Sequence, residues 1–369
     1  MKLRHIAIVI LCATFENAPA FGASAYFETN LTSDVTGLAA NLDPNLKNPW
    51  GMSFGPTTPF WISNQGSSDS KLYTGAGVPQ ALVVTTPPGP TGQVFNFTPS
   101  FLLPSGGKAL FIFSTLSGTL AGWNASLGTT GTVSSMTEFA ATDGAVYTGL
   151  AIGNNGSGDR LYAADFANGA IDTFDGSWAH TTSAGGFADP TLPAGYVPYN
   201  IQAVNGKLYV MYATVNPTTH RAANTPNTGI VDVYDFNGNF QQRLATNANL
   251  NSPWGITLAP AGFGSLSGDL LVGNFGDGTI SAFDPITGAF LGKISGANGQ
   301  PLVNGGLWAL NFRAPGSGFD PNTLFLNAGI NNEADGLFAE IQVVPEPGTM
   351  ALAGIILAAA AVKRYARSR

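Results

Sequence analysis

The chain reads as an all-β protein, a six-bladed β-propeller of four-stranded antiparallel blades, and three observations lead there. Asn251 to Ile294 contains four short runs rich in β-branched and aromatic residues, PWGITLA, DLLVGNF, TISAFD and AFLGKI, separated by Gly, Asp and Pro turns. Such a pattern is an antiparallel meander, the content of one blade. The unit recurs along the chain, its first strands starting roughly 50 residues apart, a spacing typical of propellers and other repeat arrays. Finally, charged residues make up only 10% of the 369, against 47 Gly and 24 Pro, which suits short strands and tight turns and disfavours helices. The apolar fraction of 44% is ample for a packed core.

In chain order, NPWGMSF (Asn48 to Phe54) with FWISNQ and KLYTGAG forms the first unit. A weak second unit lies between Phe101 and Thr137, and the Pro/Gly/Thr-rich segment Thr85 to Pro104 before it reads as an outer connection. YTGLAIGN (Tyr147 to Asn154) opens the third unit, and His180 to Pro198 reads as a loop between blades. YNIQAV (Tyr199 to Val204) opens the fourth, which Asn216 to Asn227 interrupts as either a lid or partner contact, or a solvated hairpin extension. The Asn251 unit is fifth. LWALNF (Leu307 to Phe312) opens the sixth, which shows only three clear strands. We expect Tyr26 to Thr32 to supply its fourth, outer strand, so that the N-terminus closes the ring.

The expected organisation is a signal peptide over 1–25, a propeller over 26–344 and a separate C-terminal tail over 345–369. Lys2 and Arg4, the apolar Ile6 to Ala13 and an Ala23-Ser24-Ala25 site ending at Ala25 make a secretory leader, with Ala18-Pro19-Ala20 as an alternative cut. The single cysteine, Cys12, lies inside this leader, so the mature chain has none. The tail joins Pro345-Glu346-Pro347 to an apolar helix, Met350 to Val362, and a basic end of Lys363, Arg364, Arg367 and Arg369. Thirteen apolar residues fall short of the roughly 20 that a full span needs, so the helix is a marginal transmembrane anchor with its basic end inside. Removing both ends leaves nine basic and 20 acidic residues, a net charge of −11. That balance argues against nucleic acid or anionic lipid as partner and is compatible with neutral glycans or bound cations.

These three tail elements, in this order, closely resemble the PEP-CTERM sorting signal of Gram-negative bacteria, also catalogued as the ice-binding protein C-terminal domain. The resemblance implies signal peptidase and exosortase as processing partners, cleavage near Pro345, Glu346 and Pro347, and a destination at the cell surface or in the extracellular matrix. It also implies a setting of exopolysaccharide and biofilm, and it does not imply ice binding. YFETNLTSD, LDPNLKNPWGMSF, PWGI at 253–256 and GDGTISAFDPITGAFLG at 276–292 resemble a secreted bacterial family of six-bladed, NHL-like propellers of uncharacterised function. That second resemblance supports the fold and implies no chemistry.

Candidate chemistry is sparse. Trp50, Trp254 and Trp308 occupy equivalent places on first strands. They would stack on sugar rings or pack between blades, and their recurrence at the repeat period favours packing. Asn64, Asn154, Asp165, Asn200, Asn274 and Asn311 recur near strand ends and are candidates for binding at a channel mouth. Oxygen ligands of this kind suit Ca²⁺, as in six-bladed lactonases and phosphotriesterases, although short polar residues at strand ends are ordinarily turn formers. Only His180 and His220 remain after processing, with no cysteine, no Gly-x-Ser-x-Gly elbow and no phosphate-binding loop. Two functions stay open: a non-catalytic binding or matrix-associated propeller, and a Ca²⁺-dependent hydrolase of lactones or similar esters working at the central channel.

Overall fold

The computed structural model describes residues 24–345, and the expected leader core and the apolar helix over 350–362 lie outside them. Six sheets are arranged as blades around one channel. Their innermost strands are Pro49–Ser53, Pro90–Phe95, Tyr147–Asn154, Tyr196–Val204, Pro253–Leu258 and Leu307–Phe312. Each pairs with the next strand in sequence in an antiparallel meander. Among the described residues, no helix is long and apolar enough to cross a membrane.

Two segments differ from the expectation. Thr85 to Pro104 is no outer connection, because Pro90–Phe95 is the channel-lining strand of blade 2. Its Pro, Thr and Gly content hid it, yet Pro90-Thr91-Gly92 stands where Pro49-Trp50-Gly51 stands in blade 1. His180 to Pro198 holds the two-residue outer strand of blade 3 and the start of the inner strand of blade 4.

The ring closes as expected. Tyr26–Ser33 lies antiparallel on Leu337–Val343, from Tyr26 opposite Val343 to Ser33 opposite Leu337. Without it, blade 6 would present a bare sheet edge. Tyr26 is buried, its hydroxyl donating to the Phe263 carbonyl at 3.0 Å. Two short parallel strands brace the outside: Asn41–Leu42 on Tyr26–Ser33, and Thr132–Ser134 of the blade 2 connection on Pro79–Thr85 of blade 1.

The apolar core lies between successive sheets. Leu271, Leu310, Leu326 and Ile341, for example, fill the space between blades 5 and 6. Blade 4 also buries charge. Asp232 accepts from Arg243 Nε at 3.1 Å, Asp189 contacts the same guanidinium, and the second oxygen of Asp232 has no partner among the described residues. Burial moves the Asp232 carboxyl from its ordinary 3.8 up to about 7, against the pull of Arg243.

Two outcomes follow from these features. Deleting residues 26–33 exposes the Leu337–Val343 edge, and the variant should aggregate on purification, which light scattering would detect. A monomeric variant with unchanged melting would rule out the closure. For Asp232, a folded-state pKa above the unfolded one gives stability that is complete below about pH 4 and is lost as pH rises through about 7. Melting temperature should fall across that window in the wild type and lose this slope in D232N.

Candidate binding site at the channel mouth

Every innermost strand slips register near its start. The slips fall between Pro49 and Met52, Pro90 and Gln93, Tyr147 and Gly149, Pro198 and Asn200, Pro253 and Ile256, and Leu307 and Leu310. Four of them begin at Pro, which has no N–H to give to the ladder. A bulge re-aims the side chain it carries, and here it carries Trp50, Thr91, Thr148, Tyr199, Trp254 and Trp308, one per blade.

The four aromatic members meet on the axis. Trp50 stacks on Trp308 with centroids 3.6 Å apart, and Trp254 stands edge-on to both at 6.2 and 5.6 Å. Tyr199 lies 6.1 Å from Trp308 and 6.5 Å from Trp50, and Phe275 stacks on the outer side of Trp308 at 4.1 Å. The recurring tryptophans are thus packing residues that close the channel, each ring being almost wholly buried. The following position is small. A Cβ on Gly51 would collide with the Thr91 carbonyl, and one on Gly255 with the Trp308 carbonyl. These glycines let neighbouring inner strands approach closely enough for the rings to touch. Polar bonds tie the layer across blades: Thr91 Oγ1 donates to the Tyr147 carbonyl (2.6 Å), Trp254 Nε1 to the Thr148 carbonyl (3.0 Å) and Trp308 Nε1 to Asn48 Oδ1 (2.9 Å).

Above the aromatic layer lies a cavity of about 600 Å³. Trp50, Tyr199, Phe166, Leu116 and Val146 wall it, and Asn48, Gln65, Arg221 and Glu333 form its polar rim. Arg221 belongs to the insertion in blade 4, which is an ordered hairpin. Val215 bridges Ala222, Asn216 N–H donates to the Arg221 carbonyl at 2.8 Å, and Asn216 Oδ1 caps Thr218 and Thr219. The hairpin straps the mouth to blade 6, where Arg221 Nη2 donates to both oxygens of Glu333 at 2.7 and 2.5 Å. Asn48 Nδ2 reaches Glu333 Oε2 and Gln65 Oε1, both at 2.9 Å. Glu333 ends a run of three left-handed residues, with φ of 55° at Asn331, 57° at Asn332 and 68° at Glu333. Such a run is unfavourable for non-glycine residues and persists only where the surroundings impose it. Tyr199 is 4% exposed, and burial, then the Glu333 carboxylate, push its phenol well above the ordinary range. It stays a neutral donor.

The six polar residues read as channel-mouth candidates occupy two kinds of position. Asn64, Asp165 and Asn274 end second strands, one strand away from the axis, and each closes a turn. Asn64 donates to Asp69 Oδ1 (2.8 Å), Asp165 accepts backbone N–H groups of Val146 and Ala167, and Asn274 Oδ1 accepts that of Asn251 (3.0 Å). Asn154, Asn200 and Asn311 are on innermost strands. Asn154 is exposed and bonded to Asp159 (2.8 Å). Asn200 donates to the Trp254 carbonyl (2.8 Å) and Asn311 to the Met52 carbonyl (3.2 Å). Those two share a second cavity of about 280 Å³ on the far side of the aromatic layer. Among the described residues, no group of three His, Cys, Asp or Glu is placed to hold a metal. Asn48, Gln65 and Glu333 carry no sequence signal of a site. The closest is Gly-Ile-Asn-Asn-Glu at 329–333, whose paired asparagines are the residues most tolerant of left-handed backbone.

Both ends of the described chain lie on the face opposite the strap. Leu307 pairs with Ala328 and Ala328 with Leu337 at the strap face, and the third strand then runs away to Val343. Val344 N–H donates to the Ala25 carbonyl at 2.8 Å, and Ser24 bonds Ser265. Ala25 and Pro345 therefore sit together on that far face, and Glu346 and Pro347 lie outside the described residues.

Comparison with known proteins agrees with this architecture. The PEP-CTERM protein-sorting motif matches residues 343–364, beginning on the last residue of the final strand. The motif implies exosortase processing and supports export and membrane-associated sorting in bacteria. A streptogramin B lyase structure superposes with a TM-score of 0.53 at 8% identity, over 87% of this chain and 98% of that one. A Bacteroides thetaiotaomicron protein of unknown function gives 0.54 at 12% identity, over 87% and 76%. At such identities the likeness is one of fold. Two uncharacterised proteins of Acanthamoeba polyphaga mimivirus are nearer in sequence. One is 32% identical over 326 residues, covering 84% of this chain and 78% of the relative, and the other is 30% identical over 327, covering 84% of each. The chain belongs to the family of these mimivirus proteins, as a six-bladed β-propeller that also carries a PEP-CTERM tail.

Proposed function

We propose that the chain is an exported propeller that acts as a non-catalytic binding protein of the cell envelope or surrounding matrix. The observation that carries this reading is the position of the strapped cavity on the face opposite both chain ends. A protein held or delivered by its tail would thus present that mouth outward. The cavity has the size and mixed lining of small-ligand sites. Extracellular polysaccharide is the partner that we infer from the sorting tail, and we read the blades as NHL-like from their repeat residues. The tail boundary at 344 belongs to the same proposal, and the leader boundary expected at 25 is moved within it. The bonds of Ser24 and Ala25 to the propeller favour the alternative cut after Ala20.

The test is to express the full chain in an exosortase-positive host and fractionate it. Mass spectrometry should show loss of the basic end through Arg369, and the processed protein should co-purify with the surface polysaccharide. An intact Arg369 on exported protein, or processed protein that never meets the polysaccharide, would sink the proposal. Labelling a cysteine placed at His220 from outside the cell, against one at Ser24, reads the orientation.

The Ca²⁺-dependent hydrolase keeps one observation in its favour, the convergence of Asn48, Gln65, Asn332 and Glu333 around one mouth. Their bonding weighs against it. Arg221 and Asn48 engage both oxygens of Glu333, and Asn48 Oδ1 is taken by Trp308. An ion that binds only the folded chain raises its melting temperature with concentration. We expect thermal unfolding to be the same in Ca²⁺ and in chelator. A concentration-dependent rise that E333Q abolishes would reverse the two readings.

A further inference from the structure

Resting on the reading of the strapped mouth as a ligand site, we propose that it recognises a carboxylate carried on a compact body with apolar faces. The argument is a balance of donors and acceptors. Trp50 is 2% exposed and its Nε1 is buried without a partner. The Tyr199 hydroxyl bonds no described residue, although the side chain is nearly buried in the same wall. Arg221 uses only Nη2 toward Glu333, leaving Nε and Nη1 without a partner among the described residues. A phenol O–H and a guanidinium therefore share one cavity with donors to spare, while the indole N–H of Trp50 lies closed off behind its wall.

The acceptors of the inner wall are already engaged, and the free ones, on Asn332 and His220, belong to exposed residues of the rim. Glu333 accepts from Arg221 and Asn48, Gln65 Oε1 from Asn48, Asn48 Oδ1 from Trp308, and the Thr148 carbonyl from Trp254. A neutral hydroxyl or amine brings protons that would need new acceptors inside. A carboxylate brings only acceptors, and bonds from an arginine to a carboxylate are among the stronger ones available. The remaining wall, Phe166, Leu116, Val146 and Ala222, suits apolar surface on the body that carries the group. Letting go of Glu333 costs little on the Arg221 side, whose side chain is 56% exposed, while Glu333, 17% exposed, keeps its bond from Asn48. The strap can release Glu333 and close again over the ligand, with Arg221 shared between the two carboxylates.

The same chemistry has two sources, an acidic sugar unit of a polysaccharide and a small free carboxylic acid. Titration calorimetry on the full chain separates them, with glucuronate and hexanoate as probes and glucose and hexanol as their uncharged counterparts. Binding of at least one acid, at least tenfold tighter than its uncharged counterpart, is expected. A stronger response to glucuronate assigns the site to polysaccharide, and a stronger response to hexanoate assigns it to free acids. R221M should weaken the preferred acid at least tenfold. Y199F, which removes no hydrogen bond made in the structure, should weaken it several-fold without moving the melting temperature. Acids bound no better than uncharged probes, or acid affinity unaltered in R221M and Y199F, would overturn the assignment. If the processed protein still co-purifies with polysaccharide in that case, the cavity assignment falls and the binding function stands. If co-purification also fails, both fall.

Discussion

The pairing of Tyr26–Ser33 with Leu337–Val343 is the constraint on which the rest of the architecture depends. Six blades bury their faces only if the ring is complete, and the last blade is one strand short until the N-terminus arrives. Closure by non-contiguous segments ties residues some three hundred positions apart, as in the bond from Ser33 Oγ to the Gly336 carbonyl at 2.7 Å. It also sets polarity. Because the closing strand runs against the final one, both ends leave on the same face, and the mouth with its strap is on the other.

Closure in turn determines how near the innermost strands come to one another. At the bulges the strands are close enough that glycine is the residue that fits at Gly51 and Gly255, and each bulge turns one side chain toward the axis. Four large aromatics at those positions make the channel a packed layer with a cavity on either side. A through-channel would need small residues there, and only Thr91 and Thr148 are small. The layer therefore serves as a floor, so that any ligand at the strap face meets Trp50 and Tyr199 from above.

Buried charge is handled differently in two places. Arg243 holds Asp189 and Asp232 together in blade 4, at the cost of a raised Asp232. Arg313 has no carboxylate partner among the described residues. It lies 4.2, 5.0 and 4.1 Å from the ring centroids of Phe54, Phe60 and Phe319 and donates to the Thr58 carbonyl at 3.0 Å. Burial lowers its pKa to about 10, so it stays charged at neutral pH, where the aromatic faces offset part of its lost hydration. The contact joins blade 6 to blade 1, the seam adjacent to the closure.

The repeat of short apolar runs and turn residues determined the fold class, the blade count and the closing strand, because strands and turns are encoded by neighbours in sequence. The sorting tail was legible too, as a contiguous motif outside the repeat. The inner strand of blade 2 was hidden, since Thr91 stands where four of its five counterparts are aromatic, and only the Pro-x-Gly frame marks it. Asn64, Asp165 and Asn274 recur because each second strand ends in a turn, which is a local requirement. The mouth is different in kind. Arg221 and Glu333 are 112 positions apart, and Asn48 and Glu333 285. Ring closure, a bulge and a left-handed turn bring them together, none of which leaves a periodic trace. Local pattern specified the blades, and only their tertiary arrangement decided which residues face one another across the axis.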